Sequence, residues 1–345
     1  MPDLASVHVQ KALNSMSIAL MNPSEGFLAA RVCGERRVEL GTDKFYVYGA
    51  GFGSRRGAAG TDARSMSSAR VPGAEAAEVD YTLSTSPYVV TKYSYRDLVT
   101  DEEIGQADSP LSPLLDAGVS LVNRLRMDQE AVLARIIADP DNYPSGNKTT
   151  LTTGGTGTSW LSYTSANTDP LEDLRTGKEV LKKSLQRPAN TLVLSSYAAA
   201  VLADHPAIKD IVKYTDPTYL MGNGLPRKLR DLDVVIAEGV YDTAAEGGTA
   251  TMDYVFVDAN NARACAIICY VPPGGVIGPR GQSSFLCFNK RSDTTGAYGI
   301  SVRSYRDEKR EGWVVEADLN FDIRAGVVDG SGLITGAYAI FDATV

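Results

Sequence analysis

A chain of 345 residues with 43% hydrophobic side chains has enough apolar material for a sizeable core, in two domains or in one with large excursions. Its 42 Asp and Glu against 34 Lys and Arg leave a net charge of −8, which argues against a dedicated nucleic-acid binder with a basic face, although weak contact with DNA stays open. No apolar run is long enough to cross a bilayer, and Met1-Pro2-Asp3 opens neither a basic n-region nor an apolar h-region, so neither a membrane span nor a secretory signal is expected.

Residues 1–35 carry only a weakly amphipathic pattern (Leu4, Val7, Leu13, Met16, Leu20), too little for a core of their own, and turn at Asn22-Pro23-Ser24. Arg36 to Tyr48 reads as strand, strongest over Lys44–Tyr48. Gly49 to Arg70 then changes character: five glycines, four arginines (Arg55, Arg56, Arg64, Arg70), one acid (Asp62) and few large apolar groups make an exposed excursion. Strand character returns over Glu78–Leu83 and Tyr88–Tyr95, so 36–80 is expected to be a two-stranded arm with a glycine-rich tip, its four arginines the candidate contacts with other subunits.

Asp108 to Pro140 predicts one long helix. Ser109-Pro110 and Ser112-Pro113 both offer an N-cap serine with proline at the first helical position. Leu111, Leu115, Val119, Val122, Leu125, Val132 and Ile136 recur at helical spacing, broadened by Leu114, Leu121, Leu133 and Ile137, while Asn123, Arg124, Asp128, Glu130 and Arg135 mark the wet side. Such a helix is about 40 Å long at 1.5 Å per residue and must cross most of its domain.

A polar segment, Asp141–Ser159, leads to a helix opened by Asp169-Pro170 and closed before Pro188. Leu192-Val193-Leu194 reads as a buried strand, Ser195 and Ser196 as a cap, Tyr197–Asp204 as a helix and Ile208–Tyr214 as a further helical turn. Asp233–Ala237, Met252–Asp258, Ala264–Tyr270, Ala297–Tyr305, Trp313–Ile323 and Leu333–Phe341 read as strands, giving an α+β protein without internal repeat.

The chemistry of enzymes is hard to place on this chain. Its two histidines, His8 and His205, have no partner at metal-ligand spacing, and His205 between Asp204 and Pro206 reads as a solvated ring at a helix end. Gly49-Ala50-Gly51-Phe52-Gly53-Ser54 lacks both the third glycine and the following helix of a dinucleotide loop, and Thr176-Gly177-Lys178-Glu179 lies inside a predicted helix without the glycine-rich lead of a P-loop. Cys33, Cys265, Cys269 and Cys287 show neither a disulfide framework nor metal spacing; Cys265 and Cys269 fall in the apolar run Ala264–Val271 and read as buried thiols from a reducing cytoplasm. No catalytic residue, cofactor or metal is therefore expected.

The order of parts carries more than any motif. Ala69-Arg70-Val71-Pro72-Gly73-Ala74-Glu75-Ala76 leading into Glu78-Val79-Asp80-Tyr81, then Ala107-Asp108-Ser109-Pro110-Leu111, Asp169-Pro170-Leu171-Glu172-Asp173-Leu174-Arg175-Thr176-Gly177 and Asn190-Thr191-Leu192-Val193-Leu194 follow in sequence before the closing strand. This set resembles the major capsid proteins of tailed bacteriophages, a fold shared with encapsulin shells. The resemblance implies an N-terminal arm (1–35), an extended loop (36–80), a peripheral domain (81–189) with spine helix 110–138, an axial domain (190–299), return strands of the peripheral domain (300–330) and a closing axial strand (331–345). It implies a structural protein, not an enzyme, whose copies form pentamers and hexamers in an icosahedral shell around double-stranded DNA, assembled in the host cytoplasm with a scaffolding protein, a portal and a decoration protein as partners. An encapsulin-type nanocompartment shell is the near alternative, which neighbouring portal or terminase genes would separate. A cytoplasmic oligomeric enzyme is the alternative of another class, and it predicts a small discrete oligomer with a ligand pocket.

Overall fold

The structure is a computed structural model, described here over residues 27–48, 71–75, 83–107, 111–152, 159–161, 168–214, 220–221, 224–245, 247–257, 264–275, 277, 281–290 and 300–342. It divides into two compact units: Leu40–Val89, and the remainder, Met1–Glu39 with Val90–Val345.

In the smaller unit, β2 (Thr42–Tyr48) and β3 (Leu83–Val89) pair antiparallel from Thr42 opposite Val89 to Tyr48 opposite Leu83. The strand read over Arg36–Tyr48 is thus two strands. Its first part belongs to β1 (Gly34–Val38) of the larger unit, and a bend over 39–41 separates it from β2. Within 71–75, Ala74 N–H donates to the Val71 carbonyl at 3.0 Å, with Pro72 and Gly73 between them and Gly73 at φ +89°, as a type II turn requires.

The larger unit holds two sheets. β14 (Gly312–Ala325) is the spine of a five-stranded one. β4 (Thr91–Thr100) lies antiparallel along one edge of it. β12 (Phe285–Lys290) and β13 (Ile300–Asp307) follow one another along the other edge, because Phe321 pairs with both Thr91 and Asn289 while residues 312–319 face β4 and β13. β1 adds parallel to β12. The second sheet has six strands, ordered β5 (Lys148–Leu151), β15 (Ala337–Asp342), β11 (Ala264–Cys269), β6 (Thr191–Ser195), β8 (Leu232–Ala237) and β7 (Lys228–Leu229). A small antiparallel pair, β9 (Val240–Asp242) and β10 (Met252–Tyr254), stands apart from both.

The helices explain the burial of the sheets. The long helix runs from Pro113 to Ile137, with Ser112 as N-cap and Pro113 at the first helical position. The helix starts at the second of the two start signals, and Ser109-Pro110 lies outside the described residues. This helix packs on β14 and β4. Its core joins Leu121, Leu125, Leu133 and Ile137 to Val315, Ala317, Leu319 and Phe321, and reaches Val193, Ile267 and Phe341 on one face of the six-stranded sheet. The other face of that sheet is covered by the helices Pro170–Leu185, Ser196–Asp204 and Pro206–Val212, through Leu174, Leu181, Leu202 and Ile208 against Leu192, Ile268 and Ile340. A sheet buried on both faces needs continuous apolar strands, which is why β6, β11 and β15 show no alternation. The caps are where the sequence places them: Asp169 accepts from the Leu171 and Glu172 amides, and Ser195 Oγ from Ala198 N–H. A short helix, Asp101–Gln106, opened by a reciprocal box between Thr100 and Glu103, adds to the expected elements.

Candidate functional site

Two features are candidates for function, one in each unit. In the smaller unit, Tyr46 (66% exposed), Tyr48, Leu83 and Val89 leave apolar side chains of the ribbon in solvent. An isolated two-stranded ribbon is marginally stable in water, and exposed aromatic groups on it favour a partner surface. The four tip arginines, Arg55, Arg56, Arg64 and Arg70, lie outside the described residues.

In the larger unit the long helix departs from the expected stripe. Leu115 is 71% exposed, and Leu111 and Val119 are about half exposed, whereas Ala117, Leu121 and Leu125 are buried. The helix turns its Ala117–Leu121–Leu125 line to the sheet, where these side chains share one core with Val315, Ala317 and Leu319.

Beyond Leu125 the buried positions are Glu130, Leu133, Ala134 and Ile137. Glu130, expected on the wet side, is 1% exposed. Its Oε2 accepts two backbone hydrogen bonds, from Leu28 N–H at 2.8 Å and Ala29 N–H at 3.1 Å, at the start of the helical turn α1 (Ala29–Val32). Its Oε1 has no partner among the described residues. Burial pushes this carboxyl up to about 7, and the two amide donors hold it back only in part. The i+3, i+4 and i+7 relation of Glu130 to Leu133, Ala134 and Ile137 was the available signal; polarity alone had placed it outside.

Thiols surround this junction. Cys33, directly after α1, is buried, and burial pushes its thiol well up, as do the neighbouring Cys287 and Glu130. Gln129 Nε2 donates to Cys287 Sγ at 3.4 Å, and burial takes Cys287 and Cys269 up to about 12. All four cysteines are buried and outside any disulfide, as read for Cys265 and Cys269; burial keeps the Cys33, Cys269 and Cys287 thiols protonated and unreactive. No group of three metal-ligating side chains stands together among the described residues.

His205 corrects a further expectation. It is buried, and its Nδ1 accepts Ala207 N–H at 3.2 Å as N-cap of the Pro206–Val212 helix. The closing strand also carries a polar anchor: buried Asp342 accepts from Ser159 Oγ at 2.8 Å and Trp160 N–H at 3.0 Å, while Trp160 Nε1 donates to Asp173 at 2.9 Å.

Comparison with known proteins bears on the whole arrangement. No protein-family model matches the chain. The major capsid protein of Burkholderia phage BcepMu is 25% identical over 130 residues, which is 37% of this chain and 40% of that protein, so the match spans well under two thirds of the curated relative. Among solved structures, a phage-related protein from Bordetella bronchiseptica RB50 superposes with a TM-score of 0.63 at 18% identity, over 98% of this chain and 97% of its own. The mature capsid of bacteriophage PhiM1 gives 0.59 at 11% identity over 96% and 90%. The encapsulin of Synechococcus elongatus PCC 7942 gives 0.58 at 11% identity over 100% and 97%. This chain therefore has the α+β fold of tailed-phage major capsid proteins, which encapsulins share.

Proposed function

We propose that this chain is the major capsid protein of a tailed bacteriophage, a structural subunit whose copies assemble as pentamers and hexamers into a closed icosahedral shell around double-stranded DNA. What supports this most is the end-to-end fit of the fold, over 96% or more of the chain, to a phage capsid and an encapsulin shell, together with local identity to a capsid protein. In this reading the five-stranded sheet with the long helix is the peripheral domain and the six-stranded sheet with its three helices is the axial domain. β5 and the Pro170–Leu185 helix then go with the axial domain, since they share its sheet and core. The ribbon β2–β3 with its tip is the extended loop, which lies on neighbouring copies through Arg55, Arg56, Arg64 and Arg70. A scaffolding protein, a portal and a decoration protein are the accessory partners, and assembly takes place in the host cytoplasm.

Electron microscopy with sedimentation of the purified chain tests this reading: the expected products are capsomers and closed particles. A discrete small oligomer with a measurable turnover would overturn it. The encapsulin reading is kept because that shell matches over the full length of this chain. Particles holding nuclease-protected DNA support the phage capsid; particles holding an enzyme and no DNA support the nanocompartment.

A further inference from the structure

A carboxyl group that is 1% exposed, has one oxygen on two amides and the other without a partner among the described residues, is an unusual object in the middle of a long helix. Burying an ionised carboxylate is costly unless a cation compensates it, and a neutral carboxyl is far cheaper to bury. What Glu130 holds is also specific. Its two donors come from the segment Leu28–Cys33, whose Leu28, Ala29, Val32 and Cys33 are buried in the same core. That segment opens the described part of the chain.

We propose that Glu130 is a proton-operated clasp: protonated, it holds the Leu28–Cys33 segment against the long helix, and on ionisation it loosens that hold. The groups on the elements around it do not supply a countercharge. The segment offers Arg31, which is exposed, and Cys33, whose buried thiol remains neutral. Gly239, in the turn after β8, faces the Glu130 side chain, a Cβ there lying 3.7 Å from its Cγ, and its neighbour Glu238 is another acid. On the helix itself stand Arg126 and Asp128, of opposite sign. The state of Glu130 is set by burial, opposed only by the Leu28 and Ala29 amides.

The sign follows from linkage. The docked carboxyl sits near 7, whereas a freed, solvated one has the ordinary value of 4.5. A group that binds its proton more tightly when docked favours docking at low pH. The hold is therefore complete below pH 4.5, weakens as pH rises through 7 and stays at its weakest above that.

Amide hydrogen exchange on the full chain reads this directly. Between pH 5.5 and 8.5, after correction for intrinsic rates, protection of the Leu28 and Ala29 amides should fall about 30-fold. Protection of Val193 and Ile267, deep in the six-stranded sheet, should stay level. In Glu130→Gln, which keeps an acceptor oxygen and cannot ionise, protection of Leu28 and Ala29 should not change with pH. Three results overturn the proposal: level protection of Leu28 and Ala29 in the unsubstituted chain, a fall shared equally by Val193 and Ile267, or a pH dependence that persists in Glu130→Gln. The first two need no variant, so a Glu130→Gln chain that fails to fold leaves the proposal fully exposed to them.

Discussion

Leu125 and Val119 both belong to the expected apolar stripe but stand about 120° apart around the helix, and the sheet beneath treats them differently. Leu125 is fully buried, packed with Leu121 and Leu133, whereas Val119 is half exposed. Truncating a buried leucine removes its transfer energy and leaves a cavity, so Leu125→Ala should cost about 2–5 kcal/mol. Val119→Ala removes surface that water already reaches and should cost under about 0.5 kcal/mol. Urea denaturation of the two variants measures both values, and equal costs would mean that the helix presents another face. Glu130 makes the same point for a polar residue. Its polarity marks it as solvent-facing, and donors 102 and 101 residues away satisfy it inside.

At the scale of elements, the Pro170–Leu185 helix shows how close packing overrides propensity. Gly177 costs that helix about 1 kcal/mol relative to alanine in intrinsic terms. A Cβ at this position, however, would come within 2.5 Å of Ile268 Cδ1 and 2.7 Å of Tyr338 Cδ1, and both side chains are buried. Neither can swing out of a packed core. Gly177→Ala should therefore destabilise by about 1–3 kcal/mol, as overpacking does, instead of stabilising as it would on an exposed helix. Thermal melting of the variant decides the sign. The neighbouring hairpin is tight in another way: Arg230 and Asp231, at φ 52° and 65°, join β7 to β8, and Lys178 Nζ donates to the Arg230 carbonyl. Both central residues of this two-residue turn are left-handed, as its geometry demands, without a glycine to make that easy.

For the whole molecule, the separation of Leu40–Val89 from the remainder makes assembly testable apart from folding. The tip carries four arginines against one acid, while the chain is net negative, so the acidic surface of a neighbouring copy is its natural partner under the shell reading. Each exposed ion pair contributes only about 0.2–1 kcal/mol, but a shell repeats it in every subunit. Replacing Arg55, Arg56, Arg64 and Arg70 together by serine should leave circular dichroism and the melting curve of the body unchanged. Particles should form poorly or fall apart as salt rises. Normal, salt-resistant particles would show that the tip does not hold copies together, and loss of the body fold would place it in the core.

The α+β class, the long helix, the caps at Ser112, Asp169 and Ser195 and the buried strands β6 and β11 were all legible in the sequence. Each leaves a one-dimensional signal: a period, a capping residue before a proline, or an unbroken apolar run. Their order along the chain sufficed to point to the capsid fold. The capping box at Thr100 and Glu103 has a signal of the same kind. Other features were not settled by local pattern. Whether Leu115 or Ala117 faces inward depends on where β14 lies, since the two stand on nearly opposite sides of the helix and only the opposing surface selects which side is covered. The break at 39–41 depends on β12 being available to pair with β1 while β3 pairs with β2. The burial of Glu130 depends on the Leu28 and Ala29 amides arriving from the far end of the chain. Local pattern determined which elements form; contacts between distant segments decided which faces they bury, because the free energy of burying a side chain belongs to the pair of surfaces that meet and not to either alone.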